Sequence, residues 1–95
     1  MPTLTAKIVG APELNGYFAL MNENASTIID EEDNVTNYNY DDIRAGVKYI
    51  LIIAVTGPDG KKYKIKVSGV QEAVYPTSEI TLIEGRDDIG VLITG

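Results

Sequence analysis

Apolar and polar residues alternate along TLTAKIV (residues 3–9), a period of two that predicts a first strand, and GAP (10–12) supplies the turn signal that ends it. Residues 13–29 fit two templates. As a helix they place Leu14, Phe18, Met21, Ala25 and Ile28 on one face at three- and four-residue steps. As strands they read as a turn at Asn15-Gly16, a strand YFALMN (17–22), a polar turn over 22–25 and a second strand STII (26–29). The many Asn, Ser and Thr side chains compete for backbone groups and weigh toward the strands.

Further on, VTNYNYDDI (35–43) sets Tyr38 and Tyr40 two apart, on one side of a strand. VKYILIIAVT (47–56) is a near-continuous apolar run, the pattern of a central strand buried on both faces. It meets GPDG (57–60), where Pro58 presets a turn and Gly60 accepts a positive backbone angle. KKYKIKVSG (61–69) then alternates, with Tyr63, Ile65 and Val67 facing one way and Lys62, Lys64 and Lys66 the other. The expectation is a long hairpin over residues 47–67, a buried strand paired to one with a solvated face. SEITLIEG (78–85) and IGVLITG (89–95) predict two more strands split by a turn at GRDD (85–88).

Length and composition narrow this picture. Ninety-five residues make one domain, residues 1–95, with 44% hydrophobic residues but no Trp and one Phe, so Ile, Val, Leu and Tyr must build the core. Acid collects at residues 30–34 and base at 60–66, and with a net charge of -6 no basic stripe for nucleic acid is expected. No opening basic-then-apolar segment resembles a secretory signal, and no apolar run is long enough to span a bilayer; a soluble chain without membrane insertion is expected.

Cysteine and histidine are both absent, which removes thiol nucleophiles, the commonest general base and most zinc and copper sites. The carboxylates of DEEDN (30–34) are adjacent on what reads as an exposed turn, so nothing opposes or desolvates them as acid–base catalysis requires. Asp30, Glu32 and Asp33 are weak candidates for a hard cation, though the spacing lacks the full calcium-loop pattern and a solubilising loop is the ordinary meaning of such a run. GAPELNG (10–16) lacks the Lys of a phosphate cradle. NAS (24–26) and NVT (34–36) fit the glycosylation pattern, which matters only on a secretory route. No enzyme, cofactor or firm metal site is expected.

Two resemblances bear on the fold. YDDIRAGVKY (40–49) resembles the tyrosine corner of immunoglobulin-like and fibronectin-type sandwiches, with Ile43, Gly46 and Tyr49 at its three marked positions. The resemblance implies a small antiparallel all-β sandwich in which the Tyr49 hydroxyl bonds back to the backbone near Asp42 or Ile43. It covers about a third of the chain, and two strands follow the next hairpin where such sandwiches usually end. The segment AGVKYILIIAVTGPDGKKYKIKV (45–67) is also similar to the central hairpin of cystatins and stefins, and YFALMNEN (17–24) to the end of their helix. That alternative implies an α+β fold inhibiting papain-type proteases through a wedge of Gly10, the loop 42–46 with Asp42 and Arg44, and the loop at Tyr75-Pro76. Here the family's Gln-x-Val-x-Gly is Asp42-Ile43-Arg44-Ala45-Gly46, and the second loop has no Trp.

The hairpin thus reads as scaffold, and function is expected in the loops 22–34 and 71–78. GVLITG (90–95) carries no charge, and such an edge is a template for pairing with another chain through Val91 and Ile93, although completing the protein's own sheet is the commoner use. The leading expectation is a non-enzymatic structural or binding module with a protein partner or a homo-oligomer at a sheet edge; a virion or surface assembly subunit fits it.

Overall fold

The computed structural model describes residues 3–95, and among them there is no helix. Nine strands follow in order: β1 (Leu4–Gly10), β2 (Asn15–Asn22), β3 (Ile28–Asp33), β4 (Asn37–Tyr40), β5 (Lys48–Thr56), β6 (Lys62–Ser68), β7 (Glu72–Val74), β8 (Ile80–Thr81) and β9 (Arg86–Thr94). They form two antiparallel sheets, one of four strands in the order β4-β1-β6-β8 and one of five in the order β3-β2-β5-β9-β7. The all-β sandwich expectation holds. The α+β alternative fails, because residues 13–29 form β2, a polar turn and β3.

That polar turn follows from side-chain chemistry. Asn22 accepts from the amides of Ser26 and Thr27 through its Oδ1, and Ala25 takes a left-handed φ of 57°. Local side-chain bonds of this kind offer the backbone an alternative to helix.

The longer strands contribute alternate residues to the layer between the sheets, whereas β3 has no buried residue. Leu4, Ala6 and Ile8 of β1, Phe18 and Leu20 of β2, and Leu51, Ile53 and Val55 of β5 are buried, with Tyr63 and Ile65 of β6 and Val91 and Ile93 of β9. Phe18 and Tyr38 stack across the sheets with ring centroids 5.4 Å apart and an interplanar angle of 9°. No charged or polar side chain is buried among the described residues, so the core carries no desolvated charge.

Three expectations are corrected. The anticipated hairpin of residues 47–67 does not exist, since β5 pairs with β2 and β9 while β6 pairs with β1 and β8 in the other sheet. The GPDG turn instead carries the chain across the sandwich, with Gly60 at φ 83° and its amide donating to the Leu82 carbonyl at 2.9 Å. Nor is β5 buried on both faces; Tyr49, Leu51, Ile53 and Val55 are sealed inside, whereas Ile50 and Ile52 on its outer face are half-buried.

The third correction concerns the chain's last third. The turn falls at Glu84-Gly85, both with positive φ, and not over residues 85–88; β9 begins at Arg86 and runs nine residues, while the strand expected before the turn shrinks to the two residues of β8. Of all sequential strand pairs, only β2 and β3 form a hairpin. The other connections pass between sheets, so nearly all pairing is non-local.

Candidate functional site

The tyrosine corner forms. The Tyr49 hydroxyl accepts a hydrogen bond from the Arg44 amide at 3.0 Å, one residue beyond the expected partners, while Ile43 is fully buried and Gly46 takes φ 75°. Gly46 donates to the Gly95 carbonyl and the Gly95 amide to the Val47 carbonyl, which ties the corner to the end of β9. These bonds fasten the connection between β4 and β5 to the end of β9.

The acidic run is not a turn. Residues 30–33 lie in β3, the outer strand of the five-stranded sheet, where alternation separates neighbours onto opposite faces. Asp30 faces inward at the open edge and accepts from the Tyr38 hydroxyl at 2.7 Å; Glu31 faces outward and accepts from Tyr17. Period-two alternation prevents Asp30, Glu32 and Asp33 from converging, and no group of three ligating side chains exists among the described residues. Carboxylates on an unpaired strand have a different effect: they repel a second strand that would add to that edge.

Two tyrosines have hydroxyls held in the protonated form. Burial, followed by the hydrogen bond to Asp30, raises Tyr38 far above the usual phenol range. Burial and the bond to Asp87, at 2.7 Å, act likewise on Tyr63. Each acts as a donor from the core to a carboxylate at its rim, which suits anchoring and not proton abstraction at neutral pH.

The protease-wedge arrangement is not assembled. Leu4 pairs with Tyr40, whereas Gly10 pairs with Tyr63 at the far end of β1, so Gly10 and the loop 42–46 lie at opposite ends of the sandwich. Asp42 and Arg44 are exposed at the corner end, and Tyr75 is half-buried with its hydroxyl 3.5 Å from the Val67 carbonyl. Of the two uses open to Val91 and Ile93, pairing with another chain or completing the protein's own sheet, the structure has the second, the commoner one. They are core residues, paired to Leu51 and Tyr49 of β5, and Ile93 also to Ala73 of β7.

What sequence reasoning missed is the outer face of the five-stranded sheet. Registers place Ile28 beside Met21, Met21 beside Ile50, Ile50 beside Leu92 and Leu92 beside Val74, an apolar row that crosses all five strands. Leu92 is 57% exposed, Val74 55% and Ile28 50%. An open groove of about 270 Å³ lies over the Ile50, Leu92 and Val74 part of the row, with Glu23, Lys48 and Glu72 among the residues at its side. A second, polar depression of about 300 Å³ lies at the other end of the same face, lined by Asn15, Tyr17, Asp33, Thr56 and Arg86. The signal was present in KYILIIAVT, whose Ile50 and Ile52 were assigned to a covering layer that is not there. Without the register, nothing showed that they align with Leu92.

Scattered exposed apolar residues are ordinary, whereas these five stand side by side across the sheet. Compared with protein-family models, curated proteins and solved structures, the chain matches none.

Proposed function

We propose that this protein is a non-enzymatic binding or assembly module of immunoglobulin-like architecture that acts through the outer face of its five-stranded sheet. The observation that carries this reading is the exposed apolar row Ile28–Met21–Ile50–Leu92–Val74. Its side chains stand on paired, rigid strands, so they meet a partner with little ordering cost.

The architectural part rests on strand placement. β1 lies beside β4, β2 beside β5, and a tyrosine corner joins β4 to β5, as strands B, E, C and F are arranged in immunoglobulin sandwiches. β3 then occupies the place of C′ beside C. The chain departs from that fold after β5: β6 takes the position beside β1 that the first strand ordinarily fills, and β9 takes the place of G. The absence of histidine and cysteine, together with a core free of buried charge, supports a role without covalent or acid–base chemistry.

A photo-crosslinking residue at position 92, used in extracts of the source cells, tests the reading. Discrete adducts, with itself or with another protein, are expected from position 92 and not from position 59 in the exposed turn. No adduct from position 92 would overturn it.

A further inference from the structure

The two outer faces of the sandwich differ in charge. On the four-stranded sheet, the outward positions of β1 and β6 carry Lys7, Lys62, Lys64 and Lys66, and no Asp or Glu stands at an outward strand position of that sheet. Lys7 and Lys66 are direct cross-strand partners, an arrangement that costs stability because like charges stand opposite each other. Of these four only Lys62 has a carboxylate within 4.0 Å among the described residues, Glu79 at 3.9 Å. On the five-stranded sheet the outward positions carry Glu31 and Glu72 nearest the apolar row, and Asp33 and Asp88 toward the other end of the face, against Lys48 and Arg86, which pairs with Asp88 at 3.3 Å.

We infer that the partner of the apolar row is a second copy of this chain, whose lysine face seats on it front to back. This inference rests on the reading of that face as a binding surface and names its occupant. Lysine stems are four methylenes long and lie along apolar surface while their ammonium groups reach water or an anion. Laid over Ile50 and Leu92, the stems cover the row, and the ammonium groups of Lys64 and Lys66 point toward the carboxylates beside it, Glu31 on β3 and Glu72 on β7. Opposite charge across the contact steers the encounter and fixes its register. Because the two contacting surfaces are different, a contacting pair keeps one free lysine face and one free apolar face, and the contact propagates into a ring or an open stack. The sheet edges are poor alternatives. β3 carries four carboxylates, while β4, β7 and β8 are four, three and two residues long.

Sedimentation velocity over a concentration series tests this, at ionic strengths of about 0.01 M and about 1 M, where the Debye length falls from about 30 Å to about 3 Å. At low salt the wild-type chain is expected to form a series of species that grows with concentration and shrinks toward monomer at high salt. Lys64→Glu/Lys66→Glu and Leu92→Glu are each expected to be monomeric, with circular dichroism and melting confirming that they fold. Mixed together, the two variants share one intact pair of faces and are expected to stop at a dimer. A monomeric wild type at low salt overturns the inference, as does a mixture that forms no dimer or a monomer that binds anionic vesicles through Lys64 and Lys66. If position 92 then crosslinks only to another protein, the binding-surface reading stands without its self-association; if it crosslinks to nothing, both fall.

Discussion

β5 and β6 are neighbours in sequence, joined by a tight turn, and both present alternate apolar residues to the same core, yet they belong to different sheets. β5 is flanked along its whole length, by β2 on one side and β9 on the other. β6 is flanked by β1 and, over two residues, by β8. The difference teaches that a turn signal specifies a reversal and not a partner. In-plane pairing would have set Lys62, Lys64 and Lys66 beside Ile50 and Ile52 on one face. Crossing instead separates an apolar outer face from a basic one, while Gly57, Gly60 and Leu82 bond across the loops that join the sheets.

The comparison can be broken at four points. Leu51→Ala removes a fully buried side chain at the centre of β5, and a loss of about 2–5 kcal/mol in unfolding free energy is expected from chemical denaturation. Gly60→Ala strains the crossover: nothing crowds its Cβ position, but φ of 83° is left-handed, so a loss of about 1–2 kcal/mol is expected in the same measurement.

Tyr63→Phe removes the side-chain bond from β6 to Asp87 of β9 and costs about 1 kcal/mol near neutral pH. The same hydroxyl makes stability depend on pH. Its folded pKa is raised by burial first and the Asp87 bond second, so the folded state holds the proton more tightly than the unfolded chain. The contribution is fully present below the unfolded value of about 10 and is lost as pH rises from there toward the folded value. Phenolate absorbance is expected to lag behind free tyrosine and to rise with the loss of circular dichroism, and Tyr63→Phe is expected to flatten the alkaline decline; an unchanged decline would refute the linkage.

The smallest effect lies on the outer surface of β6. Lys66→Gln relieves the opposition to Lys7 and is expected to raise stability by up to about 0.5 kcal/mol, measured by chemical denaturation at high salt, where self-association is suppressed.

Much of the fold was legible because its causes are local. The strand of residues 3–9, the polar turn after Asn22, the same-side placement of Tyr38 and Tyr40 and the alternation of β6 each follow from period-two patterning or from Asn and Gly chemistry within a few residues. The tyrosine corner was legible because Ile43, Gly46 and Tyr49 lie within seven positions of one another. The acidic run misled because DEED has the composition of a turn, and only its ladder with β2 makes it a strand. The C-terminal apolar segment left two uses open: Val91 and Ile93 look available until β5 takes one side of them and β7 caps the other.

The sequence by itself determined a β-rich fold with no histidine or cysteine to supply chemistry, because composition and alternation act residue by residue. Only the tertiary structure decided which strands share a sheet, and hence that Ile28, Met21, Ile50, Leu92 and Val74 form one row and the lysines of β1 and β6 one face. Pairing between distant strands is a competition among partners of similar local character, and it is settled by which arrangement buries the most apolar surface at once.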